Sequence, residues 1–122
     1  MLYVVDRSAV ILRPTQKFLD WLNQAIREEG GDIELTLEQV QANCRVFLVP
    51  QRETPEEVVA YVGENYSQLF ELEVASWFDD QKFWPKKMDL QTFTEFFQVD
   101  VQDEVVDLVD NDLMNSSLVN SF

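Results

Sequence analysis

The chain has 122 residues and is strongly acidic, with 23 Asp and Glu against nine Lys and Arg and no His. Its formal net charge of -14 disfavours direct binding to nucleic acid or to an anionic membrane surface, because both interactions need clustered basic side chains. The missing histidine removes the commonest metal ligand and the usual general base, so the composition predicts a non-enzymatic protein that holds no metal or other cofactor.

The chain begins with a predicted strand and a predicted helix. Residues 2–12 are rich in Val, Ile and Leu, which is typical of a strand, and the charged pair at 6–7 predicts an interruption in it. Thr15 then stands where it can cap a helix, and apolar residues recur at helical spacing after it. The glycine pair at 30–31 is the expected end of this helix.

A short helix and a second strand are predicted next. Thr36 and Gln39 have the spacing of a capping box, which predicts a short helix through about Ala42. The apolar run 45–49, closed by Pro50, is short and continuous, and it predicts a buried strand.

The strongest helix signal stands at the middle of the chain. Thr54 is a capping residue, Pro55 fits the first helical position, and Glu57 fits the third. Apolar residues keep helical spacing from there to about Leu72, with Gly63 as a tolerated weak point. The pattern predicts one long helix.

The end of the chain fits two structures. Asp89 can cap a short Phe-rich helix, and residues 99–110 then match either an alternating strand or a helix with one acidic face. Because Val and Asp are poor helix formers, we interpret 99–110 as a strand with a bulge near 102–104. Residues 111–122 are expected to be a polar tail that frays.

These elements predict an α+β fold in a single domain over residues 1–110, with helices packed on one face of a small three-stranded sheet. The sequence leaves open whether that sheet is mixed. A basic segment before an apolar run and a stretch of about eighteen apolar residues are both missing, so we expect a cytoplasmic protein. The lone Cys44 agrees with a reducing compartment.

The carboxylates concentrate in the second half of the chain. Between Arg52 and Lys82 all charged residues are acidic, and the same holds for every charged residue after Lys87. Such a surface would attract a protein with a basic surface. The carboxylates that we expect to form part of this contact face are Asp100, Asp103, Asp107 and Asp110.

A second candidate contact site is the segment 77–87, where large aromatic residues alternate with lysines. Exposed Trp and Phe are typical anchors of protein interfaces. If they are buried, the segment is instead a connection that covers the core, with its lysines extended into solvent. The candidate anchors are Trp77, Phe78, Phe83 and Trp84.

The overall pattern of the chain resembles that of a group of small, uncharacterised acidic bacterial proteins. The resemblance spans about residues 8 to 110 and contains no catalytic or binding motif. It implies a bacterial cytoplasmic origin and brings no activity, cofactor or site residue. The features that carry it are the runs 35–50 and 54–70, Trp77, Trp84-Pro85, Phe93, Phe96-Phe97 and the run 105–110.

Three functions follow from these features. The first is a protein-binding module of the inhibitor, immunity or adaptor type that engages a basic partner through its acidic second half. The second is an interaction or structural subunit that uses the aromatic segment Trp77–Trp84. The third is a hydrolase that uses a pair of carboxylates. Nucleotide binding by a phosphate-binding loop is excluded, because the three glycines cannot form one. Steep salt dependence of partner binding would favour the first over the second.

Overall fold

The computed structural model of the chain describes residues 1–118. The strands are β1 (Tyr3–Val5), β2 (Ser8–Pro14), β3 (Val46–Val49), β4 (Phe97–Gln102) and β5 (Val105–Asp107). The helices are α1 (Gln16–Glu29), α2 (Leu37–Gln41), α3 (Pro55–Glu64), α4 (Tyr66–Ala75) and α5 (Leu90–Phe96), with a 3₁₀ turn over Gln81–Phe83. This architecture confirms the predicted α+β fold. None of these helices is both long and apolar enough to cross a bilayer.

The main sheet has three antiparallel strands in the order β3-β2-β4, so it is not mixed. Val10 and Leu12 of β2 are buried on one face, where they join the core formed with the helices. The other face is open, and the prediction that residues 45–49 are a buried strand is wrong for Val46 and Leu48, which are exposed. Their exposure follows from the position of β3 at the edge of a sheet that is covered on one side.

A second sheet consists of β1 and β5 alone, in addition to the predicted three strands. The choice of strand over helix for 99–110 is confirmed for the residues in β4 and β5, whereas residues 108–110 lie outside both strands. The predicted bulge is wrong because the chain leaves β4 at Gln102 and enters the second sheet at Val105. The interruption predicted at 6–7 is confirmed, since β1 and β2 belong to different sheets. The segment β1–β2 and the segment β4–β5 therefore pass from one sheet to the other at corresponding places.

The helix caps are the ones that the sequence predicts. Thr15, Thr36 and Thr54 each accept a hydrogen bond from the backbone N–H three residues on, and Gly30 ends α1 with φ of 103°. The single helix predicted from Thr54 to Leu72 is wrong, because it is divided between α3 and α4 at Asn65. Asn65 has a non-helical φ of -113°, and its side-chain amide shares the Tyr61 carbonyl oxygen with its own backbone N–H.

Aromatic rings packed at tilted and edge-on angles form the centre of the core. Phe70 packs on Phe93 with ring centroids 5.7 Å apart, and Phe18 packs on Phe97 at 5.2 Å. Because these rings come from α1, α4, α5 and β4, they join the helices to the sheet. The core thereby holds β2 so that one of its ends meets the second sheet and the other meets α2 and α4.

Residues 108–118 follow β5 without forming a helix or strand, and they are exposed. The last four residues of the predicted tail 111–122 lie outside the described part of the chain. Fraying of this tail stays a prediction.

Candidate functional site

The first candidate site is the two-stranded sheet, which we call the β1–β5 ribbon (residues 3–5 and 105–107). Its register pairs Tyr3 with Asp107, Val4 with Val106 and Val5 with Val105. Val4 and Val106 are therefore neighbours on one face, where they are 67% and 40% exposed. A two-stranded ribbon is marginally stable by itself in water. A partner that covered its exposed apolar face would stabilise it.

More apolar side chains are exposed in the chain segments that continue the ribbon. Leu2 precedes β1, and Leu108 and Val109 follow β5 directly. Contiguous exposed apolar residues of this kind mark sites of protein interaction more often than single ones do. The exposed apolar residues of the ribbon and its flanks are Met1, Leu2, Tyr3, Val4, Val106, Leu108, Val109, Leu113 and Met114.

Carboxylates lie on the other face of the ribbon, where Asp107 is paired with Tyr3, and in the segment that follows β5. Asp107, Asp110 and Asp112 line a depression of about 210 Å³ beside Tyr3. Asp107 accepts a hydrogen bond of 2.9 Å from the Val109 backbone N–H, and Asp110 lies 3.8 Å from the amino-terminal nitrogen. These contacts leave carboxylate oxygens free to attract a basic side chain.

Of the four carboxylates predicted as a contact face, Asp107 and Asp110 lie together at the depression. Asp103 is exposed in the link that leads from β4 into β5. Asp100 is set apart in the main sheet, where Arg13 Nε donates to its Oδ2 at 2.9 Å. This hydrogen bond lowers the pKa of the Asp100 carboxyl, and Gln102 adds another hydrogen bond. Asp100 is therefore already paired within the chain.

The aromatic segment is mostly part of the core. Phe78 is 3% exposed, and Phe83 packs against it with ring centroids 5.7 Å apart. Trp84 is half-buried and its Nε1 donates to the Phe78 carbonyl oxygen at 2.8 Å. Trp77 differs from these three residues, since it is 42% exposed. It is the member of the segment that is best placed to contact another molecule.

A cavity of about 430 Å³ lies beside Trp77, where the ends of α2 and α4 meet the start of β3. Its apolar lining comes from Leu12, Phe18 and Val40, which are buried. Polar groups line it as well. They are Asn43, Cys44, Arg45, Glu73 and Ser76. Of the residues that line this cavity, Trp77 alone was predicted from the sequence as a site residue.

Glu73 is the chemically distinctive residue of the cavity. Its side chain is 15% exposed, and Oε1 is buried without a hydrogen-bond partner in the described part of the chain. Arg45 Nη1 lies 3.5 Å from that oxygen, which makes an ion pair that is too long for a good hydrogen bond. Burial raises the pKa of the Glu73 carboxyl, and attraction to the Arg45 guanidinium opposes the rise.

Cys44 lies beside this pair and is not activated. Its Sγ is 3.6 Å from the Gln41 carbonyl oxygen, and burial raises the pKa of the thiol although Arg13 opposes this. A thiol with a raised pKa supplies little thiolate and is a weak nucleophile at neutral pH. The polar side chains of the cavity are therefore suited to binding a small molecule by hydrogen bonds and charge, without covalent chemistry at Cys44.

We expect the stability of the protein to depend on pH through Glu73. A pKa raised above its ordinary value of 4.5 means that the native chain binds this proton more tightly than the unfolded chain. The stabilisation is complete below about pH 4.5 and is lost as pH rises through the raised pKa. The free energy of unfolding of the wild type, minus that of Glu73→Gln, should therefore fall as the pH rises above the ordinary value of 4.5.

Urea unfolding at fixed ionic strength measures this difference. Glu71→Gln removes a charge from the same helix and serves as the control. A wild-type minus Glu73→Gln difference that stayed constant or grew with pH would contradict the prediction.

No three Asp, Glu or Cys side chains within residues 1–118 converge so that they could hold a metal ion. Comparison of the chain with protein-family models, with curated proteins and with solved structures gives no match. Function is inferred here from the chain's own side chains.

Proposed function

We propose that this protein is a non-enzymatic acidic module that binds a basic partner protein through the β1–β5 ribbon. The observation that carries the proposal is that this one ribbon has an exposed apolar face, while carboxylates lie on its other face and in the segment that follows β5. The role would be that of an inhibitor, an immunity protein or an adaptor. Its location in the cytoplasm stays a prediction from the sequence.

The two kinds of side chain would contribute in different ways. Val4 and Val106 would lose water on contact and so supply affinity, at about 25 cal/mol per Å² of apolar area that is buried. The free edges of the ribbon could also pair with an extended segment of the partner. Binding would then bury the apolar surface of the ribbon and its flanks.

The carboxylates would speed association and select a basic partner. Six ion pairs within residues 1–118 involve acidic side chains, so most of the 23 carboxylates have no cation within 4 Å. Asp103 and Asp107 belong to this unpaired majority. An unbalanced negative field attracts a positive protein from a distance and repels an acidic one.

The aromatic segment remains a second candidate contact site, and one observation supports it. Trp77 exposes enough of its indole to act as an interface anchor. Phe78 is buried, and Phe83 and Trp84 are half-buried, so a partner could reach them less well. A contact there would be smaller than one on the ribbon.

We expect neutralisation of the ribbon carboxylates to slow association with the partner about tenfold at low salt and to flatten the salt dependence. The variant is Asp103→Asn, Asp107→Asn and Asp110→Asn in one chain, and the Asn at 107 keeps an acceptor for the Val109 N–H. The partner is captured from the native cell at low salt, purified, and its association rate is measured by surface plasmon resonance at several salt concentrations.

The matched control carries the same change of charge away from the ribbon, at the exposed start of α3. It is Glu53→Gln, Glu56→Gln and Glu57→Gln, and its association rate should change less than about threefold. Equal effects in the two variants would mean that only bulk charge matters. An unchanged rate in the ribbon variant would mean that the partner uses another surface.

The apolar face is tested in the same experiment. Val4→Thr with Val106→Thr keeps β-branched side chains and should mainly raise the dissociation rate. Val46→Thr, on the exposed strand β3, is the control and should leave the dissociation rate unchanged. A dissociation rate that the paired variant does not raise would contradict the role of the ribbon face.

A further inference from the structure

We propose that the cavity beside Trp77 binds a small organic ammonium ion with an apolar body. The ammonium group would lie at Glu73, and the apolar body would lie between the Trp77 indole and the buried lining. This site is separate from the ribbon. It adjoins the end of β2 at Leu12 and Pro14, whereas the ribbon adjoins the start of β2 at Ser8, about 13 to 20 Å away along the strand.

Glu73 supplies the charged end of the site. The Glu73 side chain lines the cavity, and its Oε1 is buried behind Arg45 and has no hydrogen-bond partner of good geometry in residues 1–118. A buried acceptor without a donor is costly, and an ammonium N–H would remove that cost while it balanced the negative charge. The free-energy gain from binding would come largely from this one oxygen.

Arg45 is only a loose partner of the Glu73 carboxylate. Its Nη1 approaches Oε1 only to 3.5 Å, and 40% of the Arg45 side chain is exposed. A long and flexible side chain of this kind can move into solvent at little cost when a ligand donates a better hydrogen bond. The ligand would therefore replace a loose ion pair with a hydrogen-bonded one.

Trp77 supplies a wall that suits a cation. It follows Glu73 by four residues at the end of α4, and both side chains line the cavity. The negative face of an indole attracts an ammonium group within about 6 Å of the ring, and it also stacks on an apolar body. The cavity lining thus includes both a carboxylate and an indole.

The apolar lining sets the size of the ligand. Leu12, Phe18 and Val40 are each buried and leave a cavity of about 430 Å³ that is open to solvent. A closed cavity of roughly 150 Å³ is enough to hold benzene. The site therefore has room for one aromatic ring or an equivalent aliphatic group, joined to the ammonium by a short chain.

The charge of the whole chain decides between a cationic and an anionic ligand. Arg45 by itself would favour an anion, but an anion would have to approach a chain of net charge -14 and lie beside the Glu73 carboxylate. Burial also raises the pKa of Glu73, so that a cation at this position relieves a buried negative charge. Both effects favour the cation.

Three probes of similar shape test the proposal on the full chain. They are 2-phenylethylammonium, 2-phenylethanol and 3-phenylpropionate, which carry a positive charge, no charge and a negative charge. Each is titrated while the indole N–H signals are followed by ¹⁵N NMR. We expect saturable binding of the ammonium probe, at least about tenfold weaker binding of the alcohol, and none of the carboxylate.

Glu73→Gln should weaken binding of the ammonium probe at least about tenfold, and Glu71→Gln, which removes a carboxylate outside the cavity, should change it less than about twofold. Arg45→Ala should leave the affinity for the ammonium probe unchanged or raise it. This second variant keeps the test valid if Glu73→Gln alters the fold.

Four outcomes would overturn the proposal. They are equal binding of the alcohol, stronger binding of the carboxylate probe, unchanged ammonium binding in folded Glu73→Gln, and no saturable shift with any probe up to about 10 mM. None of them bears on the ribbon, because the partner's association rate is measured without these probes.

Discussion

Replacement of Phe78 by Ala is expected to lower the free energy of unfolding by about 3 to 5 kcal/mol, which is the usual cost of truncating a buried Phe. The Phe78 ring packs edge-on against Trp21 and also contacts Phe83, with centroids 5.8 and 5.7 Å away. Trp77→Ala should cost only about 1 kcal/mol, because much of that side chain already contacts water. Urea unfolding of the wild type and both variants measures the two losses.

The comparison of these adjacent residues separates the two possible roles of the aromatic segment. A large loss for Phe78→Ala with a small one for Trp77→Ala means that Trp77 is available to a ligand or partner. Similar losses in the two variants would contradict this, because Trp77 would then stabilise the core as Phe78 does.

Much of the helical structure could be predicted from the sequence because helix caps are local. Thr15, Thr36, Thr54 and Asp89 each accept a hydrogen bond from an N–H three residues later, so a few consecutive residues determine where each helix begins. The end of α1 at Gly30 is equally local, since glycine tolerates a φ of 103°. These positions required no knowledge of the tertiary structure.

The errors concern features that depend on distant parts of the chain. Val46 and Leu48 look like core residues, yet they are exposed because β3 lies at an edge and the helices cover only the other face. The change of phase between Val101 and Val106 resembles a bulge, yet it marks passage from one sheet to another. Neither outcome can be derived from the local sequence.

In the candidate sites, too, local features could be predicted from the sequence and contacts between distant residues could not. Asp107 and Asp110 could be proposed as partners in one surface because they are close in sequence. The pairing of Asp100 with Arg13, 87 residues away, could not be foreseen. Glu73 offered one local signal, since it stands at helical spacing between the apolar residues Phe70 and Trp77. A carboxylate on an apolar helix face predicts a buried charge.

Three ion pairs connect the basic residues of the first half of the chain with carboxylates of the second half. Arg13, Lys17 and Arg45 of the first half pair with Asp100, Glu95 and Glu73 of the second. Each pair is partly exposed and contributes little to stability alone, but together the pairs place the basic residues against the acidic half. The carboxylates left over include those around the ribbon, so folding leaves an unbalanced negative charge beside the exposed apolar face.

We expect Asn23→Ala to lower the free energy of unfolding by about 2 to 3 kcal/mol, because it leaves two backbone groups of Leu35 unpaired. The buried Asn23 side chain donates to the Leu35 carbonyl oxygen at 3.0 Å and accepts from the Leu35 N–H at 2.9 Å. These bonds fix the loop that leads into α2, whose Val40 lines the cavity. Gln24→Ala, on the exposed face of α1, should cost about 0.5 kcal/mol or less. Urea unfolding gives both energies, and hydrogen exchange at the Leu35 amide should become faster only in Asn23→Ala. Equal stability of the two variants, or unchanged exchange at Leu35, would show that the loop is held by other contacts.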